Sequence, residues 1–368
     1  MSATAVTTAC GRKIGAGFHG YALIATSGEN NISVVDLDNF RLLKQVAVGG
    51  APTSLVSGTK ANYVLTPETG SIHAVYPDFE RVISRKLADR LVGLKVTPDQ
   101  RHILALSDSS RELIEADYSS LDVTRRWKLG AEPVALDVSR DGAVAISTGS
   151  HGTVELIDRR TGRVSRKELN SKLGQVLFRR DGKLLMVANF QAQTLTALET
   201  QNLQVIVDLA LAMEPQNLCF KADGGQLFIS GRGMDGIAIA FPYFTLEIEQ
   251  TVLGGRDPGP MACSDVPSEY LFVASASGSD VCILTISRRK MIGIVEVGQK
   301  PSFISITPDN QYALVLNEGS GDMAVIRITS IQDRLGDAAK MRGKAGASLF
   351  TMIPVGARPV HSVVVRKA

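Results

Sequence analysis

Apolar and polar positions follow one another in a pattern that repeats along most of the chain. Each copy has an apolar run, a turn centred on Asp, a second apolar run and a loop of small polar residues. The turns read Pro98-Asp99-Gln100, Arg140-Asp141-Gly142, Arg180-Asp181-Gly182, Ala222-Asp223-Gly224 and Pro308-Asp309-Asn310. Their aspartates are 42, 40, 42 and 86 residues apart, and the last interval is two periods. A fixed period of about 40–45 residues with four strand-like runs predicts an all-β propeller, with one blade in each repeat.

Residues 130–169 show the unit clearly. Its four strand-like runs are Val134–Val138, Ala143–Ser147, Val154–Ile157 and Val164–Leu169. Asp141-Gly142 separates the first two runs and predicts a hairpin turn, because glycine accepts a positive φ and the aspartate side chain can bond nearby backbone amides.

The two ends of the chain predict how the ring closes. Each unit opens with a short segment before its first strand, as in Gly130-Ala131-Glu132-Pro133. Eight copies of this segment are present, and the last, at Gly356, precedes a single strand, His361–Arg366. The chain begins instead with the second, third and fourth strands of a unit, at Tyr21–Thr26, Ile32–Asp36 and Leu42–Val48. Joining these pieces into one blade removes two sheet edges. We therefore predict eight blades, closed by the C-terminal strand as the innermost strand of the first blade.

An alternative ring has seven blades, if Met213–Leu253 or Gly254–Val297 is built differently from the other units. In either case we expect a flexible tail over residues 1–17 and a single propeller domain over residues 18–368. A polar stretch at residues 331–348 interrupts the last full unit, and we interpret it as a surface insertion.

Composition excludes several classes of function. The net charge is +3, from 40 basic and 37 acidic residues, which argues against a nucleic-acid-binding protein. The five histidines are scattered and no CxxC spacing is present, so we expect no haem, no clustered metal site and no cofactor. Cys219, Cys263 and Cys282 lie in apolar runs and are interpreted as unpaired core residues, with a Cys263–Cys282 bridge as the alternative.

The N-terminus carries one further signal. Thr8-Ala9-Cys10-Gly11 is similar to the junction at which bacterial lipoproteins are cleaved and acylated, although the basic and apolar stretch that should precede it is absent. The expectation is an exported protein of the periplasm or cell envelope, with a membrane tether through Cys10. The alternative is a cytoplasmic protein whose cysteine lies in an unrelated tail.

The motifs resemble the YVTN-type β-propeller repeat of bacteria and archaea over residues 18 to 368. Val96-Thr97-Pro98-Asp99, Ile306-Thr307-Pro308-Asp309, Val187-Ala188-Asn189 and Val35-Asp36-Leu37 carry the resemblance. It implies an eight- or seven-bladed propeller, with lactonase-like and surface-layer-type proteins among its relatives. The motifs are specific for the fold and say little about function.

In a propeller, the loops between second and third strands converge around one mouth of the central channel, where ligands commonly bind. The candidate binding residues on those loops are Glu68, Asp108, His151, Asn189, Arg232, Asp280, Asn317 and Glu318. We predict a monomeric, non-catalytic binding or scaffold module for a protein or small ligand, and we name no catalytic residue. The alternative is a lactonase-like hydrolase that holds a metal through Glu68, Asp108, Asn189 and Glu318. On the first strands, Asp137 and Gln175 are the polar exceptions.

Overall fold

Thirty-two strands in eight antiparallel sheets account for nearly all of the chain that the computed structural model describes, namely residues 17–149, 152–243, 247–331 and 349–367. Residues 1–16 of the N-terminal tail with Cys10, the candidate His151, and all of the predicted insertion at 331–348 except its first residue lie outside the described residues. Each sheet is a four-stranded blade, and the blades are called A to H in the order of the chain.

The strands of blades A to D have the following bounds. Blade A contains β1 (Gly20–Thr26), β2 (Asn31–Asp36), β3 (Arg41–Ala47) and the last strand, β32 (Pro359–Arg366). Blade B contains β4 (Ser54–Ser57), β5 (Asn62–Thr66), β6 (Ser71–Val75) and β7 (Val82–Lys86). Blade C contains β8 (Gly93–Val96), β9 (His102–Ser107), β10 (Glu112–Asp117) and β11 (Val123–Lys128). Blade D contains β12 (Pro133–Val138), β13 (Val144–Thr148), β14 (Thr153–Ile157) and β15 (Val164–Glu168).

Blades E to H continue the pattern. Blade E contains β16 (Leu173–Phe178), β17 (Leu184–Asn189), β18 (Thr194–Glu199) and β19 (Val205–Ala210). Blade F contains β20 (Glu214–Phe220), β21 (Leu227–Arg232), β22 (Gly236–Phe241) and β23 (Glu247–Leu253). Blade G contains β24 (Pro258–Cys263), β25 (Tyr270–Ser275), β26 (Asp280–Thr285) and β27 (Lys290–Glu296). Blade H contains β28 (Pro301–Ile306), β29 (Tyr312–Asn317), β30 (Asp322–Arg327) and β31 (Leu349–Pro354), with a 3₁₀ turn at Ile328–Ser330.

The C-terminal strand closes the ring as the sequence predicts. Strand β32 pairs antiparallel with β1, and Val365 lies opposite Tyr21 while Ser362 lies opposite Ile24. The prediction of eight blades is confirmed, and the seven-bladed alternative is wrong. Blades F and G, which the alternative treated as irregular, are ordinary four-stranded sheets. A turn that begins at Asp265, between β24 and β25, fills the double interval in the repeat.

The Asp-centred turns are stabilised by their own side chains. The Thr97 hydroxyl donates to the Asp99 carboxylate at 2.5 Å, and that carboxylate accepts the Arg101 N–H at 3.1 Å. Thr307 donates to Asp309 in the same way at 2.6 Å. Blade F has a cation in place of the hydroxyl, and the Lys221 ammonium lies 2.8 Å from Asp223. These short-range bonds explain why Asp marks the repeat.

Apolar side chains fill the spaces between neighbouring blades. Strands β5, β9 and β17 present buried residues on both faces, apart from one half-buried residue at the start of β9. Tyr63 of blade B contacts Tyr118 of blade C with ring centroids 5.0 Å apart, and its hydroxyl donates to the Tyr118 carbonyl at 2.6 Å. Outer strands are more exposed, as the pattern of β11 shows. The core is therefore a ring of blade-to-blade contacts, and it holds the loops at each mouth in place.

Candidate functional site

The loops between second and third strands are bonded to the connections that enter each blade. The Phe190 N–H donates to the Lys172 carbonyl at 2.9 Å, and the Ala276 N–H donates to the Asp257 carbonyl at 2.9 Å. The Glu318 N–H donates to Lys300 at the same distance. These backbone bonds join loops and connections on one face, which we call the loop face.

Two of the predicted residues on this face serve the loops themselves. Asn189 is buried at the end of β17, and its side-chain oxygen accepts the Ala192 N–H at 3.2 Å. Asn317 is fully buried at the end of β29, and its amide donates to Asp322 at 2.6 Å. Because both side chains close their loops from within, neither is presented to the mouth as an open ligand.

Arg90 brings two other candidates together across blades B and C. Its Nη1 lies 2.7 Å from Asp108 Oδ2, and its Nε lies 3.3 Å from Glu68 Oε1. The Asp108 side chain is 7 % exposed and the Glu68 side chain is 75 % exposed. Arg90, which the sequence analysis did not single out, thus neutralises a nearly buried carboxylate and reaches an exposed one.

The remaining candidates are separated around the ring. Glu318 pairs with Arg358, with Oε1 and Nε 3.1 Å apart. Asp280 begins β26 opposite Glu296, and burial, followed by the charge of Glu296, raises the pKa of Asp280. Arg232 is exposed at the end of β21. Across the four described ranges, no three His, Cys, Asp or Glu side chains are placed to share a metal ion.

One hydroxyl–imidazole pair lies close to the loop face. Thr66 Oγ1 is 2.9 Å from His73 Nε2, and the other ring nitrogen of His73 is 2.7 Å from Ser84 Oγ. Thr66 and His73 are 1 % and 5 % exposed. Burial lowers the pKa of His73 to about 4, so the ring is neutral near pH 7. The pair is enclosed, and its bonds stabilise blade B.

A pocket of about 350 Å³ opens on the loop face where blades B and C meet. Its wall consists of the end of β7 and the connection after it, two residues of the loop after β9, and one side chain from β11. The lining residues are Lys86, Leu87, Ala88, Asp89, Ser109, Ser110 and Arg126. The Arg126 guanidinium spans the site, because it donates to the Leu87 carbonyl at 3.0 Å and contacts Glu112 at 2.9 Å. The sequence predicts the loop after β9 at the mouth, but no feature of the sequence indicates this pocket.

The innermost strands line the channel and are joined by polar side chains. Asp137 accepts from the Lys95 ammonium at 3.1 Å and from the Phe178 N–H at 2.9 Å. Gln175 accepts the Leu218 N–H at 2.8 Å. The two polar exceptions of the sequence analysis therefore tie neighbouring blades together. These contacts join residues 41 to 43 positions apart, which is one repeat, and this spacing is the signal that could have revealed Lys95.

A histidine also borders the channel. His361 of β32 stacks on Phe303 of β28 with ring centroids 4.2 Å apart. Its Nδ1 is buried without a hydrogen-bond partner among the described residues. Burial, followed by the charge of Lys95, lowers the pKa of His361 to about 4. The ring is therefore neutral at pH 7 and belongs to the apolar contact between blades H and A.

The three described cysteines are free thiols. The alternative bridge between Cys263 and Cys282 is absent. Cys282 is buried in β26, whereas Cys263 Sγ lies 3.6 Å from Cys219 Sγ in the neighbouring blade. The two contacting cysteines are 44 positions apart, again one repeat.

No protein-family profile matches the sequence, and no curated protein is similar enough in sequence to count as a relative. Similarity to solved structures is extensive. The dihydro-heme d1 dehydrogenase NirN, solved in complex with DHE, is 13% identical with a TM-score of 0.78, over 94% of this chain and 75% of that one. Apo AztD from Citrobacter koseri is 12% identical with a TM-score of 0.70, over 95% of this chain and 99% of AztD. The β-propeller domain of Cps50 (Swd1) from Myceliophteria thermophila is 12% identical with a TM-score of 0.58, over 74% of this chain and 98% of that domain.

The similarity is one of fold. At these identities it supports the eight-bladed propeller and transfers no ligand or activity. In the part of the chain that the structure describes, no helix is both long and apolar enough to cross a membrane.

Proposed function

We propose that this protein is a non-catalytic binding module whose ligand or partner contacts the loop face at the pocket between blades B and C. The pocket is the observation that carries the proposal. It is built by two different blades, and its lining combines two apolar residues, Leu87 and Ala88, with cationic and hydroxyl groups. Binding sites generally have this combination of shape and a few polar groups.

The hydrogen-bond donors of the pocket favour an acidic ligand group. Lys86 and Arg126 line the pocket, where Lys86 pairs with Asp89 and Arg126 pairs with Glu112. Lys86 is 62 % exposed and pairs with Asp89 at 3.0 Å; because an exposed ion pair of this kind is weak, the ammonium can exchange Asp89 for an anion of the ligand. A carboxylate or phosphate, either on a small molecule or on an acidic side chain of a partner, matches this set of donors.

Three small anions serve as probes of the pocket: citrate, succinate and inorganic phosphate. We expect binding of at least one of them by calorimetry, with affinity that falls as salt is added. Lys86→Ala and Arg126→Gln should each weaken it about tenfold, which corresponds to one lost charge-assisted hydrogen bond. Arg160→Gln, an exposed arginine in the turn between β14 and β15, is the matched control and should bind as the wild type does. Binding that none of the pocket variants changes would contradict the proposal.

The non-catalytic part of the proposal has its own test. The protein is assayed on a panel of lactones with and without added Ca²⁺, Mn²⁺ or Zn²⁺, and we expect no turnover above the buffer. Metal-dependent turnover that is lost in Glu68→Ala or Asp108→Ala would overturn this part and favour the lactonase-like hydrolase.

We also propose that the native protein is exported to the cell envelope as a monomer. The support for export is the Thr8-Ala9-Cys10-Gly11 junction. Fractionation of the native organism should place the protein in the envelope or periplasm, with acylation at Cys10, and light scattering should give the mass of one chain. Unmodified protein in the cytoplasm would refute the export.

A further inference from the structure

Two thiols meet on the channel wall, on the side of the ring opposite the pocket. Cys219 is the next-to-last residue of β20 in blade F, and Cys263 is the last residue of β24 in blade G. Their Sγ atoms are 3.6 Å apart. Both residues are half-buried, as are their counterparts along the other innermost strands. Both side chains also pack against the apolar cluster between blades F and G. The contact therefore joins two neighbouring blades at their innermost strands.

The two thiols are not equivalent. The hydrogen bond with Cys263 lowers the pKa of the Cys219 thiol, whereas the same contact and burial raise the pKa of Cys263. Lys221, two positions after Cys219, is the nearby cation, and it is held at 2.8 Å by both Asp223 and Glu269. In such a pair one sulfur ionises first and attacks an oxidant, while the second remains a thiol and resolves the product.

We propose that Cys219 and Cys263 form a reversible disulfide that links blades F and G when the protein meets a peroxide. The Cys219 thiolate attacks one peroxide oxygen, the O–O bond breaks, and Cys219 becomes a sulfenic acid as hydroxide leaves and takes up a proton to form water. The Cys263 sulfur then attacks the Cys219 sulfur, its proton leaves with the sulfenic oxygen as a second water, and the S–S bond forms. Two thiols and one hydrogen peroxide thus give one disulfide and two waters.

The geometry favours a disulfide over a bound metal. A disulfide needs the sulfurs about 2.05 Å apart, so the sulfurs must approach by about 1.5 Å through rotation of the two side chains and a small shift of the neighbouring blades. A structural zinc ion needs four ligands, and within the described ranges no third His, Cys, Asp or Glu side chain completes a site with this pair. The inference does not depend on the proposed binding function, because the pocket lies in blades B and C.

Cys282 is the matched control within the same blade. It is 1 % exposed, its thiol packs against Gly255, and burial raises its pKa to about 11. It has the same chemistry as the pair, but no second sulfur within the described ranges contacts it and it is almost completely buried, so it should stay reduced under conditions that oxidise Cys219 and Cys263.

The experiment uses the full chain with Cys10→Ser, so that only the three described cysteines contribute thiols. Folded protein is treated with hydrogen peroxide, quenched, denatured, and its thiols are counted and mapped by mass spectrometry without reduction. We expect the count to fall from three to one, with one crosslinked peptide pair that contains Cys219 and Cys263, and full recovery with dithiothreitol. In the Cys282→Ser variant, the thiol count should fall from two to none, with the same crosslink.

Cys219→Ser and Cys263→Ser each keep two thiols and should give no internal crosslink. In Cys263→Ser, the Cys219 thiol has no resolving partner and should be oxidised to a sulfinic or sulfonic acid, whereas in Cys219→Ser the Cys263 thiol should stay largely reduced. The proposal is overturned if all three thiols survive peroxide in the folded protein. It is equally overturned if the crosslink involves Cys282 or a second chain. If the reduced protein retains a stoichiometric metal ion that both single variants lose, the pair is part of a metal site and the disulfide proposal is wrong.

Discussion

Asp137 in blade D accepts the backbone N–H of Phe178 in blade E, with Oδ2 and N 2.9 Å apart. Its other carboxylate oxygen lies 3.1 Å from the ammonium of Lys95 in blade C. One side chain therefore connects three consecutive blades at the channel wall. The Asp137 side chain is only 16 % exposed, so water replaces these partners poorly.

Asp137→Ala should lower the free energy of unfolding by about 2 kcal/mol, since it leaves a channel-lining N–H and an ammonium without their acceptor. Asp137→Asn keeps an oxygen for Phe178 and should cost less. Urea denaturation at pH 7 measures both. Equal stability of the wild type and the alanine variant would show that the contact contributes nothing.

Arg90→Ala should destabilise the fold by about 1–3 kcal/mol, because the nearly buried Asp108 loses its cation. Glu68→Ala removes the exposed partner of the same arginine and should change stability by less than about 0.5 kcal/mol. In the double variant Arg90→Ala/Asp108→Asn, stability should partly return, because no uncompensated charge remains. The three unfolding curves are compared at one salt concentration, and a larger loss from Glu68→Ala would contradict this assignment.

His361 makes stability depend on pH in the acidic range. Its folded pKa, about 4, lies below the value of about 6.5 in an unfolded chain, so the unfolded state binds the proton first. The stabilisation is complete above about pH 6.5 and is lost as the pH falls from there towards 4. Between pH 7 and pH 5 this residue should account for about 2 kcal/mol of lost stability.

His361→Phe keeps the ring contact with Phe303 and removes the titration. Between pH 7 and pH 5, the loss in the free energy of unfolding should therefore be about 2 kcal/mol smaller for His361→Phe than for the wild type. His19→Gln alters an exposed histidine and serves as the control. Parallel pH profiles for the wild type and His361→Phe would show that His361 has no such role.

Deletion of Gly356–Ala368 should destabilise the whole ring, because it removes β32 and uncovers the inner edge of β1. Calorimetry should show a lower melting temperature or loss of the cooperative transition. Replacement of residues 332–348 by a short Gly-Ser linker removes a longer segment without touching β32, and it should melt close to the full chain. A truncated protein that melts like the intact one would mean that closure adds no stability.

Much of this fold was predictable because its signals are local. The hydroxyl or cation placed two residues before each Asp forms its bond inside a single turn, so Thr97 and Asp99 mark the repeat whatever surrounds them. The single strand at the C-terminal end and the three strands at the N-terminal end are each an incomplete blade, and together they predict one shared blade.

The site was harder to predict, because its contacts join different blades. Asn189 and Asn317 looked like ligands at the mouth, yet their side chains turn inward to close their own loops. Arg90 and Arg126 reach across a blade boundary, and their direction depends on how blades stack rather than on spacing within a repeat. Contacts between innermost strands have one signal in the sequence: the two contacting residues are separated by about one repeat, as Cys219 and Cys263 are.

The pairing of β32 with β1 also sets an order for protein synthesis. Blades B to H can each be completed as soon as their own strands have been made, but blade A must wait for the last strand of the chain. During that interval the inner edge of β1 has open backbone groups, which any other extended segment can occupy. At high concentration the natural substitute is β32 of a second molecule, so exchange of this one strand between chains is the misassembly that this architecture invites.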